Sequence, residues 1–186
     1  TDRPSSRQPV QRDSRRARAM MQLLQQLLRV IVLRSGPQDL PPGWSTAILM
    51  VLLYVALGMW ADSMLELETS FRSLFSIGLQ IVAISLLLRF RGFIERLPQT
   101  ITAAAGTGSL FGLCSILLLT QSSNGVLAAG VATLWLVLFI WSLVVDAHIY
   151  RSSLSITMSL GILVAVLLFA LNFIVVDALF PPPPDV

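Results

Sequence analysis

Residues 126–145 read VLAAGVATLWLVLFIWSLVV, and residues 154–176 read LSITMSLGILVAVLLFALNFIVV. Neither run holds a charged residue, and the polar knot Asp146-Ala-His-Ile-Tyr-Arg151 lies between them. At ~1.5 Å per residue, about 20 residues of helix cross a hydrocarbon layer ~30 Å thick. Both runs reach that length. Two of them back to back predict a tight helical membrane hairpin, and the rest of the chain reads outward from it.

Three more apolar runs precede the hairpin. The predicted spans are about 45–61, 71–88, 101–120, 126–145 and 154–176. Trp44 and Trp60 bracket the first, where indoles favour the two interfaces. Asp62, Glu66 and Glu68 form an acidic loop after it, Arg89–Arg96 a basic loop after the second, and Gln121–Gly125 a polar turn after the third. Upstream, Met20, Leu24, Leu27, Leu28 and Ile31 share one face of a helix over 18–34, with Arg18, Gln22, Gln25, Gln26 and Arg29 opposite. This pattern predicts an amphipathic helix lying in the headgroup plane, the alternative being a helix packed on its own spans. Ser35-Gly36-Pro37 ends it, with glycine relaxing the cap. Residues 1–17, polar and Arg-rich, read as a disordered tail, and Pro181–Pro184 as a stiff extended one. Met20 or Met21 is an alternative start that leaves 1–19 as an optional extension. The predicted fold class is therefore all-α: a polytopic membrane domain over 18–180 with five spans and an interfacial N-terminal helix.

Charge orients it. All 13 basic residues are arginine, and 12 of them, all but Arg72, fall in 1–44, 89–99 and 146–152. Asp62, Glu66, Glu68, Asp177 and Asp185 fall on the other side. The positive-inside rule then puts the N-terminus in the cytoplasm and the C-terminus outside, in a bacterial inner membrane. An Arg-rich tail can bind nucleic acid, but one leading into membrane spans reads as a ligand for anionic lipid headgroups, and no nucleic-acid partner is expected.

Candidate sites are few. Gln99, Thr100 and Thr102 enter span three at the same depth as Asp146, His148 and Arg151. Ala104, Gly108 and Gly112 repeat every four residues, a stripe that lets helices approach closely. The expected contact is a latch in which this stripe meets the span four–five hairpin and His148 bonds a polar group at the mouth of span three. Histidine has an unperturbed pKa near ~6.5, so such a latch would respond to mild acid. The structural alternative is a turn whose Asp and Arg cap helix ends. Gln80 and Asn172 stand alone inside spans two and five and need amide partners in hydrocarbon. No metal set surrounds the lone His148, Cys114 has no disulfide partner, and Gly106 and Gly108 precede no phosphate-binding Lys. Ser152 or Ser153 with His148 and Asp146 are too close in sequence for a triad. Neither an enzyme nor a cofactor is predicted.

Three short motifs carry a resemblance: Gly-Pro-Gln-Asp-Leu-Pro at 36–41, Gln-Thr-Ile-Thr-Ala at 99–103 followed by Gly106 and Gly108, and His-Ile-Tyr-Arg at 148–151. With the long span behind them, the chain over roughly 25–180 resembles the Yip family of five-span membrane proteins, in particular its short proteobacterial members. The resemblance implies an all-helical integral membrane protein with a cytosolic N-terminus and no known catalysis. Eukaryotic members act in vesicle traffic and bind prenylated Rab GTPases, a partner that nothing in this chain implies, and their long cytosolic adaptor region is replaced here by an Arg-rich tail. The expectation is a non-enzymatic adaptor or accessory subunit with a protein partner or as a homo-oligomer. The alternative is a small transporter or channel with a polar path between spans two, three and five.

Overall fold

A computed structural model describes residues 8–64, 70–121 and 129–180. Glu66 and Glu68, most of the Gln121–Gly125 turn, Pro181–Pro184 and residues 1–7 lie outside the described residues. The helices are α1 Gln8–Ile31, α2 Trp44–Met64, α3 Ser70–Phe90, α4 Leu97–Leu119, α5 Ala129–Leu154 and α6 Met158–Leu179. No strand occurs among the described residues. The five helices α2 to α6 each contain a stretch long and apolar enough to cross a membrane. Their outward leucines, isoleucines and tryptophans are extensively exposed, as a lipid-facing surface requires.

The five spans close into a ring. α2 packs on α3, α3 on α6, α6 on α5, α5 on α4, and α4 on α2. α4 is the most enclosed: 44% of its apolar window is buried, against 22% or less for the others. Its inward positions are small, with Ala103, Ala105, Thr107 and Ser109 all buried. Buried hydroxyls need acceptors, and these find them in their own helix. Thr102 donates to the Pro98 carbonyl at 2.7 Å, Thr107 to that of Ala103 at 2.8 Å, and Ser109 to that of Ala105 at 2.7 Å. Back-bonding of this kind lets a polar residue sit in an apolar contact without an outside partner.

α1 differs from expectation at both ends. Residues 8–17, expected to be disordered, belong to the helix. Gln, Arg and Ala are good helix formers, and Pro9 falls in the first turn, where its missing N–H is harmless. The helix stops at Ile31, and Leu33 rather than Gly36 takes the left-handed conformation, at φ 61°. The Arg34 amide closes that cap on the Arg29 carbonyl at 2.8 Å. Gly36 is extended, and its N–H donates to Asp39 Oδ2 at 2.9 Å. The amphipathic face is divided in two. Leu27 and Val30 are buried against the bundle, where α1 crosses α4 and α5, while Met21, Leu24, Leu28 and Val32 stay exposed beside the polar face. α1 therefore packs on its own spans while keeping an apolar edge and a wet edge, the shape of a helix lying at a membrane surface.

The polar knot is not a turn. α5 runs through Asp146–Arg151 to Leu154, and only Ser155–Thr157 connect it to α6. Ser155 sits at φ 53°, the Ile156 amide caps the Arg151 carbonyl at 3.0 Å, and Thr157 caps α6. The hairpin is tight because of Gly161. A Cβ there would lie 2.5 Å from the Ala147 carbonyl oxygen. Gly161→Ala is expected to part the two helices and to lower stability by about 1–3 kcal/mol, since backbone cannot swing aside. Gly112→Ala, with nothing within 4 Å of its added Cβ, should be neutral. Thermal unfolding of the two variants in one detergent checks the contrast.

Candidate functional site

Where α1, the linker after it and the ends of all five spans converge, the molecule is closed. Leu88, Thr100, Thr102, Val145, Ile149 and Ser153 are all buried there. The sequence-derived cluster lies mostly at this closed end, but with different partners. Gln99 donates to the carbonyls of Leu40 at 2.9 Å and Gln38 at 3.3 Å, pinning the linker that leads into α2. Thr100 shares a buried 2.9 Å hydrogen bond with Ser153, so α4 and α5 meet through these two hydroxyls. Thr102 bonds only within α4. Arg151 is exposed. The C-terminal carbonyls of α5 are capped from the basic loop instead: Arg96 donates to the Ser153 carbonyl at 3.2 Å and Arg91 to that of Leu154 at 3.4 Å. Cations at a helix C-terminus oppose its dipole.

The expected His148 latch onto α4 is replaced by another. His148 is buried, and its Nε2 lies 3.0 Å from the Ser35 carbonyl oxygen. A carbonyl only accepts, so Nε2 carries the hydrogen. The contact clasps the α1–α2 linker to α5. The small stripe of α4 does not face the α5–α6 hairpin either, because α4's most extensive neighbour is α2. A Cβ on Gly108 would meet the Tyr54 ring at 3.0 Å, so this glycine is the seat of a tyrosine. Gly106 serves α1 in the same way, with Leu27 Cδ2 2.7 Å from where its Cβ would stand.

Inside the ring, away from that closed end, lies a cavity of about 600 Å³. All five spans line it, and Ala104, Gly108 and Gly112 form its bare wall on α4. Ser115 apart, the polar groups come from the other four spans. Gln80 Nε2 donates to the Tyr150 hydroxyl at 2.6 Å. Ser76 Oγ donates to Asn172 Oδ1 at 2.7 Å, and Asn172 Nδ2 donates back to the Ser76 carbonyl at 2.9 Å. Ser73 bonds Asp62, and Arg72 lies 3.8 Å from Asp177 near the α2–α3 end. Gln80 and Asn172 thus have the interhelical partners that isolated amides need in hydrocarbon. Threonines of α4, expected on any polar path, are absent from the lining: Thr102 and Thr107 turn their hydroxyls onto their own helix, and Thr100 meets Ser153.

Asp146 stands apart from its sequence neighbours. It lines the cavity about 12 Å before the end of α5, counting ~1.5 Å per residue. It has no hydrogen-bond or ion-pair partner among the described residues. Asp146 and His148 are two residues apart on one helix, so they point to different faces, one to the cavity and one to the linker. The sequence brought them together by proximity, and helical geometry separates them.

The clasp can be tested by its asymmetry. His148→Ala should lower stability by about 1–2 kcal/mol and raise amide exchange over residues 33–40, because it leaves the Ser35 carbonyl buried and unpaired. Ser35→Ala keeps that carbonyl and removes a buried hydroxyl that has no partner, so it should be neutral or slightly stabilising. Compared with protein-family models, curated proteins and solved structures, the chain matches none.

Proposed function

We propose that this chain is a small transporter-type or channel-type membrane protein that holds a solute in the cavity between its five spans. The observation that carries this reading is the unpaired Asp146 carboxylate in a cavity of about 600 Å³ within the apolar part of the bundle. Ligand sites run from about 300 to 1,000 Å³, mostly apolar with a few placed polar groups. An ionisable residue at such depth is costly unless it is used. The transporter or channel alternative needs a polar path between the spans. Asp146, Tyr150, Gln80, Ser76 and Asn172 supply one, so the solute-handling reading takes precedence. It is non-enzymatic and invokes no cofactor.

The remaining parts of the proposal concern placement. Positive-inside asymmetry supports a bacterial inner membrane with the α1 end cytoplasmic and the C-terminus periplasmic. Arginines of the N-terminal segment would then meet anionic headgroups, and the cavity's polar end, at Asp62 and Arg72, would lie toward the periplasm. The Yip-like architecture and a homo-oligomer or protein partner belong to the same proposal.

Single cysteines introduced into a Cys114→Ser background, in sealed proteoliposomes, test it. Ser76→Cys and Asn172→Cys are expected to react with a membrane-impermeant thiol reagent, whereas Val82→Cys, on an exposed apolar face, should not. Leu65→Cys reports the side on which the α2–α3 connection lies. Cavity cysteines as inert as position 82 would mean a dry packing defect rather than a solute site.

A further inference from the structure

Among the charged groups of the described lining, one has no partner among the described residues, and that one is an acid. Gln80, Ser76 and Asn172 spend their hydrogen bonds on Tyr150 and on each other. Arg72, the single basic residue among the described residues of the lining, lies beside Asp177 at the α2–α3 end. The remaining charges of the lining are the carboxylates of Asp62, bonded to Ser73, and Asp146. An anionic solute would therefore meet an uncompensated carboxylate and no free cation. A carboxylate taken out of water needs a counter-charge or hydrogen-bond donors, and the protein offers Asp146 neither.

The class of cation follows from the rest of the wall. A metal ion needs several oxygen, nitrogen or sulfur ligands. No group of three His, Cys, Asp or Glu able to hold one occurs among the described residues. Aliphatic side chains, Ile77, Ile81 and Leu143 among them, make up a large part of the lining. Tyr54, Tyr150, Phe169 and Phe173 add aromatic surface, which attracts an organic cation through its faces and packs its apolar groups. The Gly108 seat sets Tyr54 back against α4, and Gly112 leaves open space beside it. Both features give room for a bulky group rather than a bare ion.

We infer that the cavity is a binding site for a hydrophobic organic monocation, such as an alkylated or aryl-substituted ammonium or phosphonium, with the Asp146 carboxylate as its counter-charge and the tyrosines around it as its aromatic wall. The inference rests on the solute-handling reading and sharpens it to one substrate class.

The test uses two ions of one shape and opposite charge, tetraphenylphosphonium and tetraphenylborate, titrated calorimetrically onto the full chain in nanodiscs, with empty nanodiscs subtracted. The wild-type protein should bind the phosphonium at least about tenfold more tightly than the borate, the scale of one hydrogen-bonded or close charge contact. Asp146→Asn should remove that preference, and Asp146→Glu should retain most of it. The wild-type comparison needs no variant, so it decides the matter even if Asp146→Asn fails to fold. Equal binding of both ions, or a preference that survives Asp146→Asn, overturns the cation assignment and leaves a solute cavity of another class. Binding of neither ion while the cavity cysteines still label also overturns the assignment alone. Binding of neither with inert cysteines removes the solute cavity as well.

Discussion

Everything in this bundle depends on how thin α4 is. In lipid, apolar side chains gain nothing by leaving their surroundings for one another, so helices associate through close packing and through satisfied polar groups. α4 meets that constraint with alanine, glycine, threonine and serine on its inner side. Gly106 admits Leu27 of α1, and Gly108 admits Tyr54 of α2. The Thr100 hydroxyl reaches Ser153 of α5. Three neighbours thus dock on one helix by three devices. The same lack of bulk, continued past Gly108 to Gly112, leaves the ring partly unfilled and so creates the cavity.

The two ends of the molecule are built to different rules. At the α1 end, loose backbone groups are gathered in. Gln99 holds two linker carbonyls, His148 a third, and Arg91 and Arg96 hold the last carbonyls of α5. Arg96 also lies 4.2 Å from the centroid of the Phe93 ring, which fixes its fork in place. Toward the α2–α3 end, polar side chains bond across the cavity in pairs instead of sealing it. The bundle is therefore closed at one end and polar within toward the other, and the contact of His148 with the Ser35 carbonyl belongs to the closed end.

The Asp146–Arg151 segment shows how far sequence proximity misleads. Its residues read as one knot because they sit between two uncharged runs. α5 carries them on as two more turns, and a helix distributes neighbours at ~100° steps. Asp146 then faces the cavity, His148 the linker, and Arg151 is exposed. Gly161 is silent in the sequence for the opposite reason: it lies inside an apolar run with no partner glycine at regular spacing. Its need for space comes from Ala147, on another helix. A repeat every four residues says that the α4 face is small without saying what faces it; at Gly108 that is Tyr54 of α2.

The sequence by itself determined the class of protein, the five spans, their approximate limits and the amphipathic character of α1. These follow from hydropathy over ~20 residues and from periodicity, which are local quantities. It also carried the arginine asymmetry that motivates an orientation. Only the tertiary structure decided the order of the ring, the partners of Gln80, Asn172, Thr100 and His148, and the enclosure of Asp146 beside open space. Each of these depends on which helix lies against which. Helices of nearly uniform hydrophobicity leave that choice to the placement of a few small or hydrogen-bonding residues, whose partners lie far away in the chain.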